Sequence, residues 1–364
     1  MADPVRIPCV LMRGGTSRAA FFLRSDLPAE PGPRDAVLIA AMGAGHELQV
    51  DGIGGGNPVT SKAAIVGPSA HPGADVDYLF AQVGVRERSV DLSPICGNVL
   101  AAVGPFAIEA GLVPAGDGTT TVRVHNVNTG KVVEAEVATP GRRVTYEGET
   151  AIAGVPGTGS AIHLAFLAAA GAKTGVLLPT GRPVDLIEGI PVSCVVAATP
   201  VVLVRAADLG KSGREPAAHY LADTAFMTGL ERLRVAAGRA MGFPDAAERV
   251  IPKPVLLAAA AEGGALCARY FTPHECHKAL AIGGAVAVAT AVATPGTIAA
   301  ALAGPARPPT TVDIEHPSGR LPVRLATRPG DGVPVAGVVR TARRLFEGRI
   351  LVRHADLVAP HAAA

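Results

Sequence analysis

The sequence predicts an α+β protein of two similar domains, each combining strands with a single long apolar helix. At 364 residues the chain is too long for one ordinary hydrophobic core. Hydrophobic residues make up 49% of it, yet aromatics reach only 4% and Trp is absent. The core must therefore be Ala, Val, Leu and Ile, with Val-rich strands packed closely on small-residue helices. The two halves also repeat one plan of strands, a glycine-containing turn and a single long apolar helix. Cys96-Gly97-Asn98 precedes Val99 to Ala110 in the first half, and His277 to Gly284 precedes Ala285 to Ala293 in the second. An internal duplication with a cleft between two domains follows, divided as 1–178 and 179–344, with 345–364 returning to the first.

The elements read in order as follows. Val5 to Met12 is an apolar strand that stops at Arg13-Gly14-Gly15-Thr16-Ser17 and resumes at Ala19 to Leu23. The glycine pair lets the backbone turn and approach a ligand closely. Pro28 to Pro33 is a loop, and Arg34 to Met42 has helical spacing. A glycine-rich loop, Ile53-Gly54-Gly55-Gly56-Asn57-Pro58-Val59-Thr60-Ser61-Lys62, runs into the strand Ala63 to Val66, and Asp75 to Val85 is another. Val99 to Ala110 reads as one helix capped by Gly111. Two alternating strands, Thr119 to His125 and Val132 to Val137, flank an Asn128-Thr129-Gly130-Lys131 turn. In the second half, Val192 to Leu203, Val255 to Leu257 and Ala265 to Tyr270 read as strands, with one or two helices over Ala217 to Gly242. Thr341 to Val352 reads as a helix-like piece and a closing strand.

Several functions lose support at once. Net charge is +2 and no basic stretch alternates with aromatics, which disfavours nucleic acid. No apolar run reaches the roughly 18 residues of a membrane span, and no secretory signal is evident, so a cytoplasmic location is expected. Five cysteines, an odd number, argue against a disulfide framework. Glu275-Cys276-His277 beside His274 is the one cluster that raises metal binding, but its residues fall on different faces and lack a distant pair. Gly154 to Ser160 lacks the strand-to-helix context and Lys of a P-loop.

Four places could carry chemistry. Cys96 stands where a buried helix begins, and free N–H groups there attract an anion, the setting a proton-transferring thiol needs; free cysteines are also common as buried hydrophobes. Lys62 is either a solvated surface charge or, in a partly desolvated cleft, a base. Arg13-Gly14-Gly15-Thr16-Ser17 offers a guanidinium, amides and two hydroxyls, which suit either a carboxylate clamp or a tight turn with a surface Arg. His316-Pro317-Ser318-Gly319-Arg320 could likewise present backbone donors to an anion.

These stretches resemble the PrpF family of the diaminopimelate epimerase-like fold. The likeness runs through Met12 to Ser17, Asp51 to Gly55, Thr60-Ser61-Lys62, Cys96-Gly97-Asn98 and Asn126 to Gly130. It continues through Gly157 to Ser160, His277-Lys278-Ala279, Glu315 to Gly319 and Arg340 to Leu345, in family order. The resemblance implies two epimerase-like domains, each a sheet wrapped around a central helix, with an active site between them and an acid/base pair, Lys62 and Cys96. Arg13, Ser17, Asn98, Ser318 and Gly319 would hold carboxylates, with Gly15, Thr16, Ser61, Gly97 and Lys278 completing the binding set.

Diaminopimelate epimerases use one cysteine per domain, but the second helix start here has no Cys-Gly pair. The expectation moves from racemisation to isomerisation of an unsaturated polycarboxylic acid such as 4-oxalomesaconate, with 2-methylaconitate isomerisation or a non-catalytic accessory role beside an aconitase-like dehydratase as alternatives. No metal, nicotinamide or pyridoxal is required, and a homodimer is compatible with the reading. Gly283-Gly284 departs from the oxalomesaconate branch, where one hydroxyl or β-branched residue is expected.

Overall fold

The computed structural model describes residues 3–92, 94–167, 174–272, 275–304, 306–327 and 334–358. The chain forms two compact units, one of residues 1–164 and 340–364 and one of residues 165–339. These limits lie 14 and five residues before the expected boundaries at 178 and 344. Among the described residues, no helix is long and apolar enough to cross a membrane.

In the first unit, β1 (Val5–Gly14), β2 (Ser17–Leu23), β3 (Lys62–Pro68), β4 (Val76–Val83), β5 (Val90–Asp91), β6 (Gly118–Asn126) and β7 (Lys131–Thr139) build the sheet. β1 pairs antiparallel with β2, β2 parallel with β3, and β3 antiparallel with β4. β4 is parallel to β6, and β6 antiparallel to β7. The last strand of the chain, β17 (Ala342–Val352), pairs antiparallel with β1 from end to end. The helix-like piece expected after Thr341 is therefore strand, because pairing with β1 overrides local preference.

α1 (Pro31–Met42) covers one face of this sheet, with Leu38 and Met42 buried against Ile7, Ala20, Phe22, Ala63 and Ile65. It starts three residues earlier than the spacing suggested, because a proline is favourable in a first helical turn. The other face carries α2 (Gly97–Leu100) and α3 (Val103–Glu109), which touch β1, β2, β3, β6 and β7. The single helix expected from Val99 breaks at Ala101–Ala102 for a covalent reason. Pro105 has no N–H to offer the carbonyl four residues before it. Gly104 lets α3 sit close to β7, since a Cβ there would lie 2.9 Å from Val137 Cγ2.

β8 (Ile162–Phe166) leads into the second unit, where β9 (Asp185–Ile187), β10 (Ile190–Ala197), β11 (Thr199–Arg205), β12 (Lys253–Ala259) and β13 (Leu266–Tyr270) follow. β14 (Thr310–His316), β15 (Gly319–Thr327) and β16 (Pro334–Arg340) complete it. From β10 to β15 the pairings run antiparallel, parallel, antiparallel, parallel, antiparallel. That is the order found from β1 through β7, so the duplication read in the sequence is a duplication of topology. α4 (Ala217–Ala222) and α5 (Thr224–Ala240) take the place of α1 between the second and third strands of the repeat. α6 (Ile282–Val292) takes that of α2 and α3, followed by α7 (Ile298–Ala303), and α8 (His354–Val358) closes the chain. α6 is buried nearly all round, touching β10, β11, β14 and β15, as an apolar Ala/Gly/Val helix must be.

One buried carboxylate fixes the β12–β13 turn. Glu315 on β14 accepts backbone N–H bonds from Ala261 at 2.8 Å, Glu262 at 2.6 Å and Gly264 at 2.9 Å. Burial pushes its carboxyl up, but the three donors and the Arg214 charge outweigh that and hold it below its ordinary value of 4.5. Its stabilisation is thus fully present above that ordinary value and is lost as pH falls through the lowered one. Glu315→Ala should cost about 3 kcal/mol at neutral pH by leaving these donors unpaired, read as a lower urea midpoint. The difference from the parent should shrink as pH drops below the ordinary carboxylate range.

Candidate functional site

Strand alternation decides what can meet what. In the first unit, Ala20, Phe22, Ala63 and Ile65 point to α1. Their neighbours in sequence, Ser17, Ala19, Phe21, Lys62 and Ala64, therefore point to the opposite face, where α2 and α3 lie. Phe21 confirms the assignment, its ring 5.3 Å from that of Phe106 on α3. On β4 the residues opposite Lys62, Ala64 and Val66 are Gln82, Phe80 and Tyr78, which share that face.

Cys96 arrives on this same face as the N-cap residue of α2, in extended conformation. Its Sγ lies 4.0 Å from Ser17 Oγ, and the Tyr78 hydroxyl reaches the Cys96 carbonyl at 3.4 Å. Burial, and then the neighbouring Cys96, push the Tyr78 phenol well above its ordinary value, so it stays a protonated donor. Lys62 opens β3 and is buried. Its Nζ donates to Gln82 Oε1 at 2.6 Å and lies 5.1 Å from the centroid of the Phe80 ring. The hydrogen-bond partner is a neutral amide, so the amine is held without being neutralised by an ion pair.

Asn98 closes the arrangement. Its Nδ2 donates to Thr16 Oγ1 at 3.0 Å, while its buried Oδ1 has no partner. The β1–β2 turn comes so near that a Cβ on Gly14 would strike the Asn98 carbonyl and one on Gly15 would strike Oδ1. Gly15 also sits at φ +50°, and its N–H donates to Thr341 O at 2.9 Å. The glycines serve the helix start here, as well as leaving room for a ligand.

The structure does not bring every expected residue into this group. Arg13 pairs with Arg18 and Arg343 on neighbouring strands and points to the α1 face, away from Ser17. Its Nη1 donates to Gly15 O at 2.9 Å and Thr341 O at 3.0 Å, bracing the turn. Burial and then Arg343 lower its guanidinium from the ordinary value. Ser61 is fully buried, and its hydroxyl accepts from Gln49 Nε2 at 2.8 Å inside the glycine-rich loop. Gly97 begins α2 beside Cys96.

In the second unit, the exposed Ser318 donates its hydroxyl to the Lys278 carbonyl, tying the β14–β15 turn, where Gly319 has φ +127°, to the approach to α6. Lys278 itself is exposed. The position matching Cys96 at the start of α6 is Ala281. Cys276 is no replacement, since burial, opposed by Arg269, lifts its thiol to about 11. His277 Nδ1 accepts the Ala279 N–H at 3.0 Å, and His274 lies outside the described residues. Of the unexpected Gly283-Gly284 pair, Gly284 has a steric cause: a side chain there would run into the Tyr270 ring.

The sequence reading missed Gln82, Tyr78 and Thr341 as site residues. Gln82 and Tyr78 stand in no motif and strand register alone brings them there, whereas Thr341 falls within the Arg340 to Leu345 stretch and its carbonyl takes the Gly15 N–H.

Residues 4–353 match the family described as PrpF protein. The chain belongs to the PrpF family. It is 47% identical over 349 residues to 4-oxalomesaconate tautomerase of a Pseudomonas putida strain, covering 95% of this chain and 96% of that one. It is 45% identical over 346 residues to (4E)-oxalomesaconate Delta-isomerase of a Novosphingobium species, covering 95% and 97%. The crystal structure of methylitaconate-delta-isomerase superposes over 100% of both chains with a TM-score of 0.86 at 35% identity. With PrpF relatives of this kind along its length, the chain is an isomerase.

Proposed function

We propose that this PrpF protein shifts a proton on an unsaturated tricarboxylic acid of the 4-oxalomesaconate class, without a cofactor, using Lys62 and Cys96 as its acid–base pair. The substrate class rests on the near full-length identity to two enzymes named for oxalomesaconate. The residue roles rest on one observation above the others: register puts Lys62 on the face of the sheet where Cys96 opens α2.

Lys62 takes a proton from a carbon acidified by an adjacent carbonyl or, through the double bond, by a carboxylate. The electron pair moves into a dienolate, which hydrogen-bond donors stabilise. The proton returns at the enol oxygen or at a second carbon, from Cys96, so the product has the formula of the substrate. Asn98 and Ser17 flank the thiol and supply polar contacts. Five free thiols suit a reducing compartment, and we place the enzyme in the cytoplasm.

The test is turnover in heavy water of 4-oxalomesaconate, 2-methylaconitate and 3-methylitaconate, followed by ultraviolet absorbance and deuterium uptake. Highest kcat/KM on 4-oxalomesaconate, with deuterium at the shifted position, is the expected result. A higher value on either of the others would reassign the substrate, and no exchange on any would end the proposal.

A further inference from the structure

We propose that Gln82 is the positioning residue for Lys62, holding the amine in place and keeping carboxylates from pairing with it. The inference rests on the reading of Lys62 as the base. Gln82 lies directly opposite Lys62 on β4. Both amide protons are committed, since Nε2 donates to Pro58 O at 3.1 Å and Ser61 O at 2.8 Å. A turned amide would set oxygen against two carbonyls and NH2 against an amine, so Oε1 must face Lys62 Nζ, 2.6 Å away.

The same side chain grips the end of the glycine-rich loop that delivers Lys62. A second glutamine holds the loop from within: Gln49 donates to Ser61 Oγ at 2.8 Å and accepts the Gly56 N–H at 3.0 Å. Gln82 is the one of the two that also touches the amine.

Charge gives the second half of the argument. On the face that Lys62 occupies, β2 and the loop over 53–61 contribute no titratable side chain, and β1 contributes only the exposed Arg6, six residues along the strand from Met12. Tyr78 on β4, Cys96 at the helix start and Asp91 on β5 do. Asp91 is the partner of Gln82 on its other side, so Gln82 stands between the lysine and that carboxylate. With strands about 4.8 Å apart, the Lys62 and Asp91 backbones are roughly 10 Å from each other. A neutral amide in the middle position bonds the amine in either protonation state; a carboxylate there would lock the ammonium.

Gln82→Glu and Gln82→Met separate this role from a purely structural one. In Gln82→Glu the acidic limb of the kcat/KM profile should move up by about 1–2 pH units, with activity near neutrality down about 10–100-fold and regained in alkali. Gln82→Met should lower kcat across the range without moving the limb. Reductive methylation of the amines, read peptide by peptide with Lys131 as reference, should show the same upward shift at Lys62 in Gln82→Glu only. Equal losses in both variants, with neither limb nor labelling displaced, would make Gln82 structural and overturn the proposal. Turnover retained in Lys62→Ala would instead sink the base assignment, and the labelling would then decide the claim on Gln82 alone.

Discussion

Lys62→Ala should lower kcat by about 10²–10⁴-fold, and Cys96→Ser by a comparable factor, the range expected for removing a positioned acid or base. The two losses should not be additive, since product forms only when both groups act, and the double variant should be little worse than either single one. The deuterium pattern tells them apart. Lys62→Ala should abolish both isomerisation and solvent exchange. Cys96→Ser should still allow exchange at the carbon that Lys62 serves, while product formation stops. Lys62 is buried, and its loss leaves Gln82 Oε1 without its donor, which costs about 1–3 kcal/mol. Lys62→Met, which keeps the aliphatic stem, serves as the check: equal inactivity in a variant with the parental melting temperature assigns the loss to chemistry. Exchange that survives in Lys62→Ala would remove the lysine from the mechanism.

How far these residues could be read from the sequence depends on whether local chain chemistry or register places them. Cys96-Gly97-Asn98 announced itself, because a helix start has its own pattern and the helix lies next in the chain. Lys62 was legible only as the end of a glycine-rich loop. Whether it was a surface charge or an inward-pointing amine turned on the phase of β3, and a slip of one residue would have put it on the α1 face. The same blindness explains Arg13. Beside two glycines and two hydroxyls it reads as an anion clamp, but the alternation along β1 sends it to the other face, where it braces Thr341 and Gly15. Gln82 and Tyr78 were invisible for a third reason. They act through contacts with residues 18 and 20 positions away, and neither type is rare enough to mark a site. The repeat was legible as a pattern of elements because topology follows from element order, whereas the break in the helix at Ala101–Ala102 hangs on the single residue Pro105.

The turn glycines make the sharpest test of how that helix start is held. Gly15→Ala should destabilise the protein by about 2–5 kcal/mol. About 1–2 of this comes from forcing a Cβ into the left-handed conformation at φ +50°. The remaining 1–3 comes from crowding Asn98 Oδ1. Most of the second part should disappear in Gly15→Ala combined with Asn98→Ala, because the two nearest obstacles are Oδ1 and Cγ of that side chain and only its Cβ, 3.1 Å away, remains; the first should stay. Gly14→Ala should behave differently. Its new Cβ meets the carbonyl and backbone of Asn98, which a side-chain deletion cannot clear, so Asn98→Ala should leave its cost in place. Both single variants should also lose about 10²-fold in kcat, because moving the backbone that carries Cys96 by even 1 Å misaligns the thiol. Urea midpoints for the four variants read the stability half, and initial rates on the preferred polycarboxylate read the other. Rescue of Gly14→Ala by Asn98→Ala would mean that the turn and the helix start are not in backbone contact.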